Sequence, residues 1–245
     1  MSNKKSKIVL ITGASSGFGR DTAETLAHAG HTVFASMRDV NGKHRDQANK
    51  LRQQGIAVVE LDVSDDDSVD AAVKEVLARA KRIDVLVNNA GIASAGVTEA
   101  FTAEQANVIF NTNVVGLLRT SRAALPAMRA QGDGLIINIG SILGRVTFPF
   151  FGIYGASKFA VEALTESLRY EVSQLGIEVV RVLAVIDELD DDFPRLHLAA
   201  REAVAELPRD DLDARGRLRR RWRDPRQDVR DLQGPVRIRK GARPA

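Results

Sequence analysis

Short unbroken apolar runs alternate along this chain with longer stretches whose apolar residues recur every three or four positions. Residues 7–12 (KIVLIT) are rich in β-branched side chains and end at Gly13, which predicts a buried strand. From Gly17 to Ala29 the spacing turns helical, and Gly30 stands where a helix would close. Further strands are expected at 32–37, 57–63, 84–88, 134–140 and 177–185, with helices at 44–54, 68–80, about 103–130 and 153–175. Ser64, ahead of Asp65, Asp66 and Asp67, reads as the hydroxyl cap of the helix after it, with carboxylates against the positive helix end. Strands that are apolar throughout are buried on both faces, and a helix between successive strands makes them parallel. The expected fold is therefore α/β: a single doubly wound, Rossmann-like parallel sheet with helices on both faces, its core in residues 1–185.

Composition changes the picture near the end. Residues 181–245 carry 29 charged side chains in 65 positions, whereas the first 180 carry 38. Acidic residues cluster at 187–192 and arginines at 215–223, with Phe193 and Trp222 the aromatics among them. Such a segment buries too little apolar surface to offset the cost of ordering its backbone, about 1–2 kcal/mol per residue. Residues 186–245 are thus expected to form an atypical charged C-terminal segment, poorly packed from about 187 onward. A shifted reading frame in the source DNA and a divergent or truncated natural end would both produce the change. Asp210, Asp211, Asp213 and Asp224 flank the arginine run, which reads as solvated or self-paired rather than as a nucleic-acid contact.

The net charge of +3 is small, so bulk electrostatics call for no nucleic-acid or membrane partner. There are no cysteines, which excludes disulfides, thiolate zinc sites and cysteine nucleophiles. The four histidines lack metal-ligand spacing, and a metal-independent mechanism is expected. The apolar run Ile8–Ile11 is too short for a signal-peptide core or a membrane span. A cytoplasmic protein is expected.

The turn after the first strand, Thr12-Gly13-Ala14-Ser15-Ser16-Gly17-Phe18-Gly19, leads straight into a helix. Glycines let the backbone approach a pyrophosphate, and a helix N-terminus offers free N–H groups and a positive dipole end. Gly13, Ser15, Ser16, Gly17, Phe18 and Gly19 are the candidate phosphate-binding residues. The second strand ends Ala35-Ser36-Met37-Arg38, where an acidic residue would bind a ribose 2′-hydroxyl. A guanidinium there suits a 2′-phosphate, so NADP(H) is preferred and NAD(H) possible; an Arg38 that merely faces water is the plain alternative. Asp39 falls one place late for the ribose. Asp62 and Val63 are candidates to bracket the adenine, although an Asp at a strand end is as often a cap. Asn89, Ala90 and Gly91, after Asn88, would continue the cofactor wall. Two successive amides there are costly to bury unless hydrogen-bonded; a strand-stabilising polar cluster is the plain alternative, and the two readings are compatible.

The most specific pattern lies downstream. Ser141 ends a strand, and Tyr154 and Lys158 stand four apart, on one face of a helix. A phenol titrates near 10 and is a poor base at neutral pH, but an adjacent ammonium favours the phenolate. Ser141 would hold the substrate oxygen while Tyr154 transfers a proton. The other tyrosine, Tyr170, has no lysine so placed.

TGASSGFG, NNAG, Ser141, and Tyr154 with Lys158 occur in an order and at intervals that resemble the classical short-chain dehydrogenase/reductase family, over about residues 5–185. The FASMRD segment is most similar to its steroid and retinol dehydrogenase branch. The resemblance implies a fourth catalytic residue, Asn113, which anchors a proton-relaying water, and a contact of Lys158 with the nicotinamide ribose. It also implies a homodimer or homotetramer paired through the two long helices. The sequence departs from the family after the sixth strand: Leu183-Ala184-Val185-Ile186-Asp187-Glu188 stands where a Pro-Gly pair is typical.

Phe148, Phe150 and Phe151, between Ser141 and Tyr154, suit a small hydrophobic alcohol or carbonyl substrate, or else a subunit interface. The expected function is an NADP(H)-dependent alcohol dehydrogenase or carbonyl reductase. The alternative is a catalytically weak nucleotide-binding sensor or scaffold on the same fold.

Overall fold

The computed structural model describes residues 6–184. The expectations for the charged segment from 186 onward lie outside the described residues. Among the described residues, six strands and six α-helices follow one another: β1 (Ile8–Ile11), α1 (Gly17–His28), β2 (Thr32–Met37), α2 (Arg45–Gln53), β3 (Ala57–Glu60), α3 (Asp66–Ala80), β4 (Val85–Asn88), α4 (Ala103–Phe110), α5 (Gly116–Gln131), β5 (Gly134–Ser141), α6 (Gly152–Val172) and β6 (Ile177–Ala184). The six strands form one parallel sheet in the order β3-β2-β1-β4-β5-β6. The order reverses direction between β1 and β4, which opens a crevice at the carboxyl ends of those two strands.

Successive strand residues point to opposite faces, and both faces are covered. Leu10, Phe34, Val59, Leu86 and Ile136 pack in one cluster with Val69, Val73 and Val76 of α3 and with Ala124 and Met128 of α5. Their neighbours Val9, Ile11, Val33, Ala35, Val85, Val87 and Ile137 are equally buried. At the opposite end of the sheet from the crevice, Asp84 binds β1 to the start of β4. Its carboxylate accepts the Ile8 N–H at 2.7 Å and the Arg82 Nε–H at 2.7 Å.

Three local expectations are corrected. The cap of α3 is Asp65, whose side chain accepts the Ser68 N–H; Ser64 instead donates its hydroxyl to Asp62 at 2.6 Å. The run 57–63 pairs as a strand only to Glu60, which leaves Asp62 and Val63 on the loop beyond it. The long helix at 103–130 is two α-helices joined through a π-helical turn at Asn111–Val115. That turn holds Asn113.

The centre of the molecule carries a polar layer. Asn88 at the end of β4 donates to Asn138 of β5 at 2.9 Å and to Ser121 of α5 at 3.0 Å, and accepts from Thr120 at 2.6 Å. Asn138 in turn donates to Thr165 of α6 at 2.9 Å. Two strands and two helices are thereby tied at one depth, directly under the site. Asn138→Ala leaves Asn88 and Thr165 without their shared partner in a dry environment. The expected cost is about 2–3 kcal/mol of unfolding free energy, read in urea denaturation as a lower midpoint with unchanged slope; a change below about 0.5 kcal/mol, the usual range of surface substitutions, would show that the layer is dispensable.

Candidate active site

The crevice between β1 and β4 is walled by the glycine-rich turn. Gly13 has φ of +68°, and a Cβ there would lie 2.7 Å from the Ala90 Cα, so only glycine lets the turn lie so close to the end of β4. Gly17 has φ of +52° with nothing within 4 Å of a Cβ position, so its outer side is open. Thr12 joins the two walls: its Oγ1 accepts the N–H groups of Asn89 and Ala90, each at 3.0 Å. The Asn89 amide donates back to the carbonyls of Thr12 at 2.9 Å and Gly13 at 3.1 Å. Thr12 is not among the candidate residues read from the sequence; its place at the end of the apolar run 7–12, just beyond β1, is the available signal.

The N-terminus of α1 faces this turn without a side-chain cap and without an acidic residue in its first turn. By contrast, α3 is capped by Asp65 and carries Asp66 and Asp67 at its start. An N-terminus with neither a side-chain cap nor a nearby carboxylate suits an anion. Gly13 and Gly19 of the turn lie against Ala90 and Asn89 at the end of β4, an arrangement that suits a dinucleotide pyrophosphate.

At the far end, Arg38 and Asp62 meet each other, Nη1 to Oδ2 at 3.8 Å. Arg38 is 61% exposed. They share a cavity of about 330 Å³ with Asp39, Lys43 and His44. Burial works against ionisation of Asp62, yet hydrogen bonds from the Ser64 hydroxyl and N–H, with the Arg38 and Arg119 cations, bring its carboxyl below the usual carboxylate range. Asp39 has φ of +47° and its carboxylate accepts the Lys43 N–H at 2.8 Å. The acid beside Arg38 is thus folded back on its own turn. Val63 packs against α5, where a Cβ at Gly116 would lie 2.9 Å from it.

On the other side of the crevice, Ser141, Tyr154, Lys158 and Asn113 are all buried. The Ser141 Oγ accepts the Leu143 N–H at 3.2 Å, a bond that uses the oxygen and not the hydroxyl proton. The turn Ile142–Gly144 rests on α6: a Cβ at Gly155 would lie 3.4 Å from the Leu143 carbonyl, and one at Gly144 2.9 Å from the Lys158 carbonyl. The Lys158 ammonium stands over the Tyr154 ring, 5.7 Å from its centroid, and donates to the Ile139 carbonyl at 2.9 Å. Burial lowers the Lys158 pKa from 10.5 to about 8.

Asn113 is placed by the π turn, a feature that breaks the regular ladder and that no residue pattern announced. Its side chain binds the Ile92 N–H at 2.8 Å and the Ile92 carbonyl at 2.9 Å, and donates to Ser157 at 3.0 Å. The Ser157 hydroxyl passes the contact on to the Tyr154 carbonyl at 2.7 Å. Ser157, three residues after Tyr154 on the same helix, is a second functional neighbour the sequence reading missed.

Among the described residues, no helix is long and apolar enough to cross a membrane. Residues 7–186 match the profile of the family described as short chain dehydrogenase. A 3-ketodihydrosphingosine reductase of Bacteroides thetaiotaomicron is 42% identical over 176 residues, 72% of this chain and 62% of that protein. Human retinol dehydrogenase 8 is 34% identical over 209 residues, 82% of this chain and 65% of that protein. These matches span less than two thirds of either relative. The crystal structure of a gluconate 5-dehydrogenase from Burkholderia cenocepacia, in complex with NADP and tartrate, superposes with a TM-score of 0.68 at 32% identity, covering 73% of this chain and 71% of that one.

The lowered pKa of Lys158 has a cost in stability with a definite sign. Between pH 8 and 10.5 the unfolded chain holds this proton more tightly than the folded one, so folding gains as pH rises through that window. At pH 7 the full penalty is present, about 3 kcal/mol. Lys158→Met is therefore expected to melt higher than wild type at pH 7 without cofactor, with the gain shrinking from pH 8 to 10.5. Melting curves across pH check this; a variant less stable than wild type at pH 7 would mean that the ammonium is compensated.

Proposed function

The chain belongs to the short-chain dehydrogenase family, in its steroid- and retinol-dehydrogenase-like branch, and from that premise we propose that it interconverts a hydrophobic secondary alcohol and its ketone or aldehyde using NADP(H). It is an oxidoreductase of that family with the Rossmann-like nucleotide-binding fold. The observation that carries the finer reading is the buried Lys158 ammonium over the Tyr154 ring, on the helix against which the Ser141 turn is packed.

The nicotinamide, when bound, supplies or accepts the hydride. The protein's own part is proton transfer and orientation. Ser141 donates its free hydroxyl proton to the substrate oxygen, and the neighbouring bond from Leu143 fixes which way the oxygen lone pairs face. Tyr154 gives its phenolic proton to a carbonyl, or removes one from an alcohol, and the Lys158 charge favours the phenolate. Asn113, through Ser157, keeps the π turn fastened to the backbone of Tyr154.

Support for NADP(H) over NAD(H) comes from Arg38 at the end of β2 and from the Asp39 carboxylate being engaged by its own turn. Support for an apolar substrate comes from Val146, Phe148 and Phe150, which stand exposed on the loop leading to Tyr154, the two phenylalanines by 56% and 60%. Val108 of α4, Leu118 of α5 and Phe159 of α6 are also exposed, which favours pairing of these helices between copies in a homodimer or homotetramer.

Tyr154→Phe keeps the ring and removes the proton. Turnover of a panel of ketones with NADPH is expected to fall at least a hundredfold, about the usual share of general acid catalysis, while cofactor affinity stays within a few-fold. Half the activity retained would rule the mechanism out. Arg38→Ala removes one charge-assisted phosphate contact, about 1.5–3 kcal/mol. Titration is expected to show NADP⁺ affinity falling roughly ten- to hundredfold with NAD⁺ affinity unchanged; equal wild-type affinities for the two cofactors would overturn the assignment.

A further inference from the structure

Glu162 lies on α6 one turn beyond Lys158 and two beyond Tyr154, so the three share a helix face. It is 9% exposed, and no step of the chemistry above uses it. Its side chain fills the room that two glycines leave on either side of Ser141. A Cβ at Gly140 would lie 2.9 Å from its Oε1, and one at Gly144 3.1 Å from its Cγ. Its Oε2 lies 2.8 Å from Nη2 of Arg145 and 2.9 Å from Nε of Arg181. Arg145 directly follows the turn Ile142–Gly144, and Arg181 is on β6. Arg181 also reaches Glu166, one turn further along α6, at 3.5 Å.

A carboxylate taken out of water survives only where countercharges meet it, and apolar residues would stabilise the same packing at least as well. What an ion pair provides and an apolar contact does not is attraction between particular groups: one carboxylate, through charge contact and without an aligned hydrogen bond among the described residues, draws the end of the turn and β6 toward the same point of α6. The turn it pulls carries the Leu143 N–H that orients Ser141. We propose that Glu162 is a positioning residue of the catalytic centre, holding the turn Ile142–Gly144 against α6 through Arg145 and Arg181 and so setting where the Ser141 hydroxyl stands relative to Tyr154. This rests on the reading of Ser141 and Tyr154 as the reacting pair.

The test uses Glu162→Gln, Arg145→Gln and the double variant in the full chain. Arg145 is half-exposed, so its variant folds even if the buried substitution does not. Four quantities are measured: hydrogen exchange of the Leu143 amide by NMR, kcat for NADPH oxidation with a ketone panel, NADP⁺ affinity, and exchange of the Leu10 and Leu86 amides in the central strands. Each single variant is expected to speed exchange at Leu143 tenfold or more and to lower kcat tenfold or more. NADP⁺ affinity stays within twofold, and Leu10 and Leu86 keep their protection. The double variant is no worse than either single one, because the two residues act as a unit. Wild-type values at Leu143 and for kcat would overturn the proposal. So would parallel loss of protection at Leu10 and Leu86, or effects that add in the double variant. A wild type that turns over no carbonyl compound sinks the functional reading instead, and exchange at Leu143 then decides the positioning role alone.

Discussion

The carboxyl ends of β1, β4 and β5 leave an apolar sheet while still shielded from water, and every polar group placed there must find a partner inside the protein. That constraint organises the site. Thr12 and Asn89 satisfy each other across the crevice, and in doing so set the width of the gap beside the glycine-rich turn. Asn88 and Asn138 satisfy each other across β4 and β5 and enlist Ser121 of α5 and Thr165 of α6. An unpaired buried amide costs more than a made bond returns, so these residues admit few arrangements. Rigidity near the chemistry follows from that scarcity.

The fold was legible because its periodicities are clean. Residues 32–37 pair as a strand over the span their apolar run marks, and the positive φ at Gly30, Gly55, Gly132 and Gly176 falls where helices close. Tyr154 and Lys158 were legible for a related reason, since a spacing of four fixes a shared helix face whatever surrounds it. The misses have a different origin. Whether Ser64 or Asp65 caps α3 depends on a competing acceptor, Asp62, that the local pattern does not weigh. The π turn meets other parts of the chain through Asn113, which bonds the Ile92 N–H at 2.8 Å and Ser157 at 3.0 Å. Contacts between residues far apart in the chain leave no periodicity to read.

Two ionisable groups one turn apart on α6 are buried in different company. Lys158 has a carbonyl and an aromatic face for company, and desolvation weakens its hold on the proton. Glu162 has two guanidinium groups. The helix thus carries a desolvated ammonium at one position and, one turn on, a carboxylate set between two guanidinium groups. A uniformly apolar face would pack as well and would carry neither charge.

The π turn between α4 and α5 also acts as a phase shifter. One additional residue in a helical path rotates everything beyond it by about 100°. Because the offset falls at Asn111–Val115, the face of α5 that meets the sheet, through Gly116, Thr120 and Ala124, is set independently of the face α4 presents. A regular helix would have to choose between seating Gly116 on Val63 and aiming Asn113 at Ile92 and Ser157. The irregular turn lets one continuous rod serve two orientations, so the cofactor side and the catalytic side of the crevice can each be fitted without disturbing the other.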